Sequence, residues 1–364
     1  MKLAFYGSSL LSAYWNGAAT YYRGMLKAMC GLGYDITFYE PDVYDRKNHR
    51  DIEPPDWARV VVYDGTTAAL LEAARQAADA DVVVKASGVG FEDDLLLNTL
   101  LESSRFDAVR IFWDVDAPAT LLGIQDQPEH PLRSALGKLD AVLTYGGGQP
   151  VVSAYEALGA GICVPIYNGL DPDTHHPVAL DPRYRADLAF LGNRLPDREA
   201  RVEEFFLAAA SRLPNRQFIL GGSGWGDKSM SDNIAYIGHV GTADHNAFNV
   251  TPRAVLNVSR DSMAGMGFSP ATRVFEAAGA GACLITDAWR GLEMFLKPDE
   301  EVLVARDGQD VAEIVRQLTT ERAAEIGRAA LARVLADHTY ADRARQADAT
   351  IRPLAGRRAV EAGQ

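Results

Sequence analysis

Arginine and glutamate stand three residues apart in SPATRVFEAAGAGACLITD, as Arg273 and Glu276, just ahead of a run of small residues. Read as a helix from Thr272 to Ala280, the segment turns Val274, Phe275 and Ala278 inward, and Gly279 and Gly281 stop it before an apolar strand. Three-residue spacing puts both charged groups on one side of the first turns, which is the geometry of a surface ion pair. It is equally the geometry of a binding helix. The loop from Gly265 to Pro270 leads into free amino-terminal N–H groups that can hold a diphosphate. One turn further on, Glu276 can accept both hydroxyls of a ribose.

Other residues compete for chemical roles. In LAFLGNRLPDREARVEEFF, Asn193 and Arg194 leave a strand end, and Arg198 and Arg201 fall in the first helical turns. The helix dipole disfavours cations there, and a nearby anion would offset that cost, since guanidinium matches phosphate oxygens. Pairing with Asp197, Glu199, Glu203 or Glu204 is the alternative for Arg198 and Arg201. In NIAYIGHVGTADHNAF, the turn at Gly238 and His239 offers backbone groups to a nucleobase edge and an imidazole to its face, or is only a turn. In IFWDVDAP, Asp114 and Asp116 share one face at a strand end. Such carboxylates suit accepting a proton from a hydroxyl, or orienting hydroxyls, better than binding a metal; capping the next helix is the competing role. The loop containing Tyr14, Trp15, Asn16 and Gly17 reads as a ring-stacking surface or a packed anchor. His175 and His176 lack carboxylates at metal-ligand spacing, which argues against zinc.

The elements that must position these groups are legible as apolar, β-branched runs separated by helical patterns. LAFYG, ITFYE, VVVYDG, DVVVKASG, RIFWDVD, AVLTYGGG and CVPIYNG form one set; DLAFLGN, RQFILGG, NIAYIGHV, AVLNVS, ACLITD and EVLVA form another. Continuous apolar strands alternating with helices imply parallel sheets covered on both faces. The Pro- and Asp-rich connector near 171–187 separates two Rossmann-like halves, and a long helical region begins near Glu321. The expected domains are 1–175, 176–335 and a terminal helical segment, 336–364. Ligands in such sheets sit beyond the strands' carboxyl ends, and with two domains the expected site is the cleft between them.

Bulk properties narrow the function classes. Hydrophobic content of 48% and charged content of 23% are those of a globular protein. Residues 1–175 hold 24 Asp and Glu against 13 Lys and Arg, and they carry most of the net charge of −13. That acidity disfavours nucleic acid and anionic lipid as partners. The three cysteines are far apart and read as reduced thiols; no run is long enough to span a membrane, and the expected location is the cytoplasm. NAD is not expected, because only Gly7 and Gly17 stand in the loop after the first strand, and G-x-G-x-x-G is absent.

IYNGLDPDTHHPV resembles the hinge of GT-B glycosyltransferases, and IAYIGHV and TRVFEAAGAGACLITD resemble the nucleotide-binding strand and glutamate helix of that fold. FLGNRLPDREARVEEFF, FWDVDAPATL and HTYADRA resemble the CgeB-like, spore-maturation-type members. The resemblance spans nearly the whole chain. It implies an α/β GT-B architecture whose terminal helix crosses back to the first domain, and transfer of a sugar from a nucleotide donor in the second domain to an acceptor in the first. Glu276 would bind the ribose, the turn at Gly238 the base, and Arg194, Arg198 and the amides of Ser269 to Arg273 the diphosphate, with no metal and no cofactor beyond the donor substrate. UDP, GDP and dTDP donors are not distinguished, and the acceptor is a small molecule, a glycan or a protein. Many related retaining enzymes carry a second glutamate eight positions before the ribose glutamate; here that position is Phe268. A nucleotide-sugar epimerase and a non-catalytic nucleotide-sugar-binding protein are the alternatives on the same fold.

Overall fold

The computed structural model of the chain describes residues 1–14, 16–125 and 127–363. It forms two compact units, one running from Met1 to Tyr167 and resuming at Tyr340, the other spanning Asn168–Thr339. The connector from Asn168 belongs with the second unit because it is tied there: Leu170 N–H donates to the His338 carbonyl at 2.7 Å, and the Asn168 amide donates to the Pro270 carbonyl at 3.2 Å.

In unit 1, strands β1 (Lys2–Tyr6), β2 (Asp35–Asp42), β3 (Arg59–Asp64), β4 (Val82–Ala86), β5 (Val109–Asp114), β6 (Ala141–Thr144) and β7 (Cys163–Pro165) pair in parallel in the order β3-β2-β1-β4-β5-β6-β7. Burial on both faces explains why these strands read as unbroken apolar runs. One face carries a core containing Phe5, Phe38, Val84 and Trp113. The terminal helix Tyr340–Ala362 completes that core with Tyr340, Ala344, Ala347, Ile351 and Leu354, as the fold expectation required. Burying each large apolar side chain contributes roughly 1.5–3 kcal/mol. Close approach of this helix depends on Gly24, where a Cβ would lie 2.1 Å from the Tyr340 ring.

Unit 2 repeats the plan. Strands β8 (Leu188–Leu191), β9 (Phe218–Gly221), β10 (Ile234–Gly238), β11 (Ala254–Asn257), β12 (Leu284–Asp287) and β13 (Leu303–Ala305) form a parallel sheet in the order β10-β9-β8-β11-β12-β13. Strand order reverses between β8 and β11, as it does between β1 and β4, and the carboxyl ends at such a reversal are where α/β sheets hold ligands.

Three local details differ from expectation. Gly281, at φ 80°, ends the helix Thr272–Ala280, whereas Gly279 lies inside it, packed so closely that a Cβ would meet Leu170 at 2.2 Å. The helix whose first turns were expected to carry Arg198 and Arg201 contains a π turn at Glu203–Leu207. The late helical region is two helices, Thr320–Asp337 and Tyr340–Ala362, and only the second belongs to unit 1.

Candidate nucleotide site

The carboxyl end of β8 delivers Gly192, Asn193 and Arg194, and Arg198 caps the helix that follows. The Arg198 guanidinium lies against the backbone of Gly192, where a Cβ would sit 2.8 Å from its terminal nitrogen. It donates to the Asn193 carbonyl at 2.6 Å and stands over the Phe190 ring at 5.8 Å. No carboxylate among the described residues pairs with it, since its neighbour Asp197 binds Arg260, and its solvent-sealed Nε has no hydrogen-bond partner. Burial, reinforced by the fields of Arg273 and Arg260, pushes the guanidinium down to about 10. A buried cation without a carboxylate partner is costly, and an anion beside it would offset that cost.

The second half of the site is the helix Thr272–Ala280. Its amino terminus has no side-chain cap, and Ser269, buried just before it, donates its hydroxyl to the Gly267 carbonyl at 3.0 Å. Thr272 opens the helix, whose first N–H groups have no intrahelical acceptor. Arg273 donates to Asn249 Oδ1 at 3.0 Å, which turns its remaining terminal nitrogen toward Glu276 at 3.9 Å.

Glu276 is 13% exposed, yet it forms no hydrogen bond within the described residues. Its Oε1 faces His175 Nε2 at 3.9 Å, and its Oε2 faces Arg273 at the same distance. Burial raises its carboxyl, but His175, Arg273 and His245 together outweigh that effect and hold it below the ordinary range. The carboxylate is therefore ionised, held by charge and without a hydrogen bond among the described residues. His245 is lowered, first by burial and then by Arg273 and His175, against the pull of Glu276. Its Nε2 lies 3.3 Å from the Val240 carbonyl, and a hydrogen bond there places the proton of the neutral ring on Nε2.

Not every expected residue joins this group. Arg194 is engaged elsewhere: it donates to Glu199 at 2.7 Å, to Asp227 at 2.8 Å and to the Gly224 carbonyl, so its guanidinium is neutralised inside the protein. Arg201 is likewise bound to the buried Asp287 at 2.6 Å. Asn193 accepts from the Ser223 amide, fixing the loop after β8. Gly238, at φ 70°, accepts from Gly222 N–H at 2.6 Å, and His239 beside it is exposed.

In unit 1, Asp114 is fully buried and accepts from Tyr155, from Thr120 at 2.9 Å and from the Asp116 amide at 3.0 Å. Burial raises its carboxyl against those bonds. Asp114 is thus an internal anchor, and Asp116, half-buried, is the member of the pair that reaches the surface. Tyr14 stacks on His49 with ring centroids 3.9 Å apart, and buried Asn16 bonds Ser8, Ser9 and Ser12, which makes this loop a packed anchor; Gly17 lies exposed in its closing turn. Trp15 falls outside the described residues. Phe268 takes the left-handed conformation, φ 50°, uncommon for a bulky residue, with its ring over Arg290 and against Gly291.

Sequence spacing misses His175 and His245. The carboxylate that His175 lacks nearby in the chain is supplied in space by Glu276. Among the described residues these three are the group whose ligand atoms, all within 4.8 Å of one another, could hold a metal ion. The permanent charge of Arg273 beside the same carboxylate works against a cation there.

Residues 198–349 match the family described as Glycosyl transferase-like. This segment covers the Arg198 and Glu276 elements and marks the chain as an enzyme of the glycosyltransferase class. Solved structures similar over nearly the whole chain include sucrose-phosphate synthase from Thermosynechococcus elongatus, at 14% identity and a TM-score of 0.68, covering 97% of this chain and 99% of that one. Anabaena HepE, solved with UDP-glucose, matches at 13% identity and a TM-score of 0.67, covering 96% and 99%. AviGT4, a glycosyltransferase of avilamycin A biosynthesis, matches at 18% identity and a TM-score of 0.62, covering 98% of each chain. These likenesses give the two-sheet architecture its name, the GT-B fold. A search of curated proteins finds no match. No helix among the described residues is long and apolar enough to cross a membrane.

Proposed function

We propose that this protein transfers a sugar from a ribonucleotide or deoxyribonucleotide diphosphate donor, held by unit 2, to an acceptor hydroxyl, without a metal ion, in the manner of the CgeB-like glycosyltransferases and in the cytoplasm. The observation that carries the donor site is Arg198, a guanidinium with a sealed, unpartnered Nε and no counter-ion, at the same sheet edge as an uncapped helix terminus. A diphosphate would supply the missing negative charge. As the bond from the sugar's anomeric carbon to the diphosphate breaks, Arg198 and the helix N–H groups stabilise the charge that develops on the leaving oxygen. The acceptor oxygen forms the new bond to that carbon and gives its proton to Asp116, whose amide is fixed by Asp114. Glu276 holds the ribose, and the turn at Gly238 and His239 lies against the base.

The solved HepE complex with UDP-glucose supports testing uridine nucleotides first. Thermal stabilisation without metal by UDP, GDP, dTDP, CMP, ADP and NAD tests the site, because a ligand bound only by the native state raises the melting temperature. A rise with one nucleoside diphosphate, lost in Glu276→Ala, is expected. A rise with NAD alone, or none, rejects the site. Release of nucleoside diphosphate with formation of a glycosylated product separates transfer from binding alone.

A further inference from the structure

One cation of unit 1 is the exception to the pairing found around it. Arg46 opens the short helical turn after β2 and is 8% exposed. One terminal nitrogen donates to the Ser8 carbonyl at 2.9 Å, which holds the guanidinium beyond the carboxyl end of β1. Its Nε is sealed from solvent without a partner; its other terminal nitrogen also makes no hydrogen bond, and is not sealed. The acidic groups of the surrounding loops are engaged elsewhere. Asp45 binds Asn48 at 2.7 Å and faces His49 at 3.1 Å, Asp42 faces Lys47 at 3.5 Å, and Asp93 takes Lys85 with the amides of Val89 and Gly90. Glu40 acts on Arg46 through its field alone: its Oε2 accepts the amides of Leu10 and Leu11, and no carboxylate among the described residues lies within ion-pair distance of the guanidinium.

The chain is bent to put Arg46 there. Tyr44 and Asp45 take the left-handed conformation in succession, at φ 57° and 59°, which costs residues other than glycine free energy and persists only where the surroundings enforce it. The Tyr44 hydroxyl donates to the Gly90 carbonyl at 3.0 Å, and its ring, 62% exposed, stands 5.2 Å from the guanidinium carbon. Gly90, at φ 95°, makes room for that ring, since a Cβ there would lie 2.9 Å from it. An exposed aromatic face beside an unmatched guanidinium suits a sugar ring that bears an acidic group.

We propose that Arg46 and Tyr44 form an acceptor subsite in unit 1, and that the acceptor carries an acidic group, a phosphate or a carboxylate, which the guanidinium binds. This rests on the transfer reading above and deepens it by naming the chemical class of the acceptor. β1 lies two strands from β5, so at about 4.8 Å per strand the acidic group sits roughly 10 Å from the strand end that leads to Asp116. It is a handle remote from the reacting hydroxyl. The net acidity of unit 1 repels a polyanion, yet it leaves room for one charge seated on one buried cation.

The test is calorimetric titration of the full chain with glucose 6-phosphate, glucuronate and glucose at constant ionic strength, in the native protein and in Arg46→Gln, Arg46→Lys and Arg198→Met. At least one of the two acids is expected to bind about 10-fold or more tightly than glucose, and the tighter of them tells phosphate from carboxylate. Arg46→Gln keeps an N–H for the Ser8 carbonyl but loses the charge, and should erase the preference. Arg46→Lys should reduce the acid's affinity by less and leave that of glucose unchanged, and it serves if the Gln variant does not fold. Arg198→Met should leave the preference intact.

Native affinity for the acids no greater than for glucose overturns the proposal, as does a preference that survives Arg46→Gln. A preference lost in Arg198→Met and kept in Arg46→Gln would put the acids in the nucleotide site and overturn it too. If the native protein binds no nucleoside diphosphate yet keeps an Arg46-dependent preference, the transfer reading fails and the anion site stands without its acceptor role.

Discussion

The two sheets share a strand order but treat the charges at their carboxyl ends differently. In unit 1, Asp114 is closed by Tyr155, Thr120 and a backbone amide, Glu40 accepts the amides of Leu10 and Leu11, and Lys85 is bound to Asp93. In unit 2, among the described residues, Arg198 has no counter-ion and Glu276 has no hydrogen bond. Topology alone does not separate the two edges. What separates them is whether a desolvated charge finds its partner inside the fold, because leaving one unpaired is costly unless a ligand completes it.

The widest break between the two regions is expected in catalysis. Asp116→Asn should lower transfer by about 100- to 10,000-fold while sparing nucleoside-diphosphate affinity; product formation at saturating donor checks the first and titration the second. Retained turnover would remove Asp116 as the base. Next in size, Glu276→Ala should weaken nucleotide binding by about 100-fold and also lower the ligand-free melting temperature, since it takes the facing carboxylate from Arg273 and His175.

Arg198 and Asp114 give opposite signs. Arg198→Met removes a charge that the empty protein leaves unmatched, so nucleotide affinity should fall about 10- to 100-fold while ligand-free stability holds or rises. Asp114→Ala strips Tyr155, Thr120 and an amide of their acceptor, so stability should fall by about 1–3 kcal/mol or more with nucleotide affinity unchanged in the protein that remains folded. Chemical denaturation and titration on both variants measure the contrast. A loss of stability in Arg198→Met as large as that in Asp114→Ala would place Arg198 among the structural charges.

The strands were legible because buried parallel strands must be apolar on both faces, and each run quoted from the sequence contains or overlaps one of the thirteen observed. Glu276 was legible for a local reason: its helix follows a Gly- and Pro-containing loop and ends at Gly281. The other site residues depend on distant partners. Arg194 and Arg198 look alike in NRLPDRE, yet Asp227 from another loop neutralises the first, and Gly192 shelters the second without a counter-ion. His175 and His245 come from the connector and from the helix His245–Val250, and only folding brings them to Glu276. Gly279 was misread as a helix end because its real constraint, contact with Leu170, is tertiary.

The smallest effect expected is in the pH dependence of stability, where the two buried carboxyls again differ in sign. Glu276 has a folded value below its ordinary 4.5, so it contributes stability that is complete above that pH and is lost as pH falls through the folded value. Asp114 is raised above its ordinary 3.8, so the native state keeps a proton that the unfolded chain releases. Its contribution is complete below 3.8 and is lost as pH rises through the folded value. Denaturation midpoints measured across the acid range in Glu276→Gln and Asp114→Asn should therefore depart from the native profile in opposite directions. Nucleoside diphosphate should steepen the Glu276-dependent loss, because on the proposed donor site the ribose hydroxyls would donate to the ionised carboxylate, and leave the Asp114 profile where it was. Identical profiles for the two variants would mean that the carboxylates sit in equivalent environments, and the distinction between a closed edge and an open one would fail at its most direct electrostatic test.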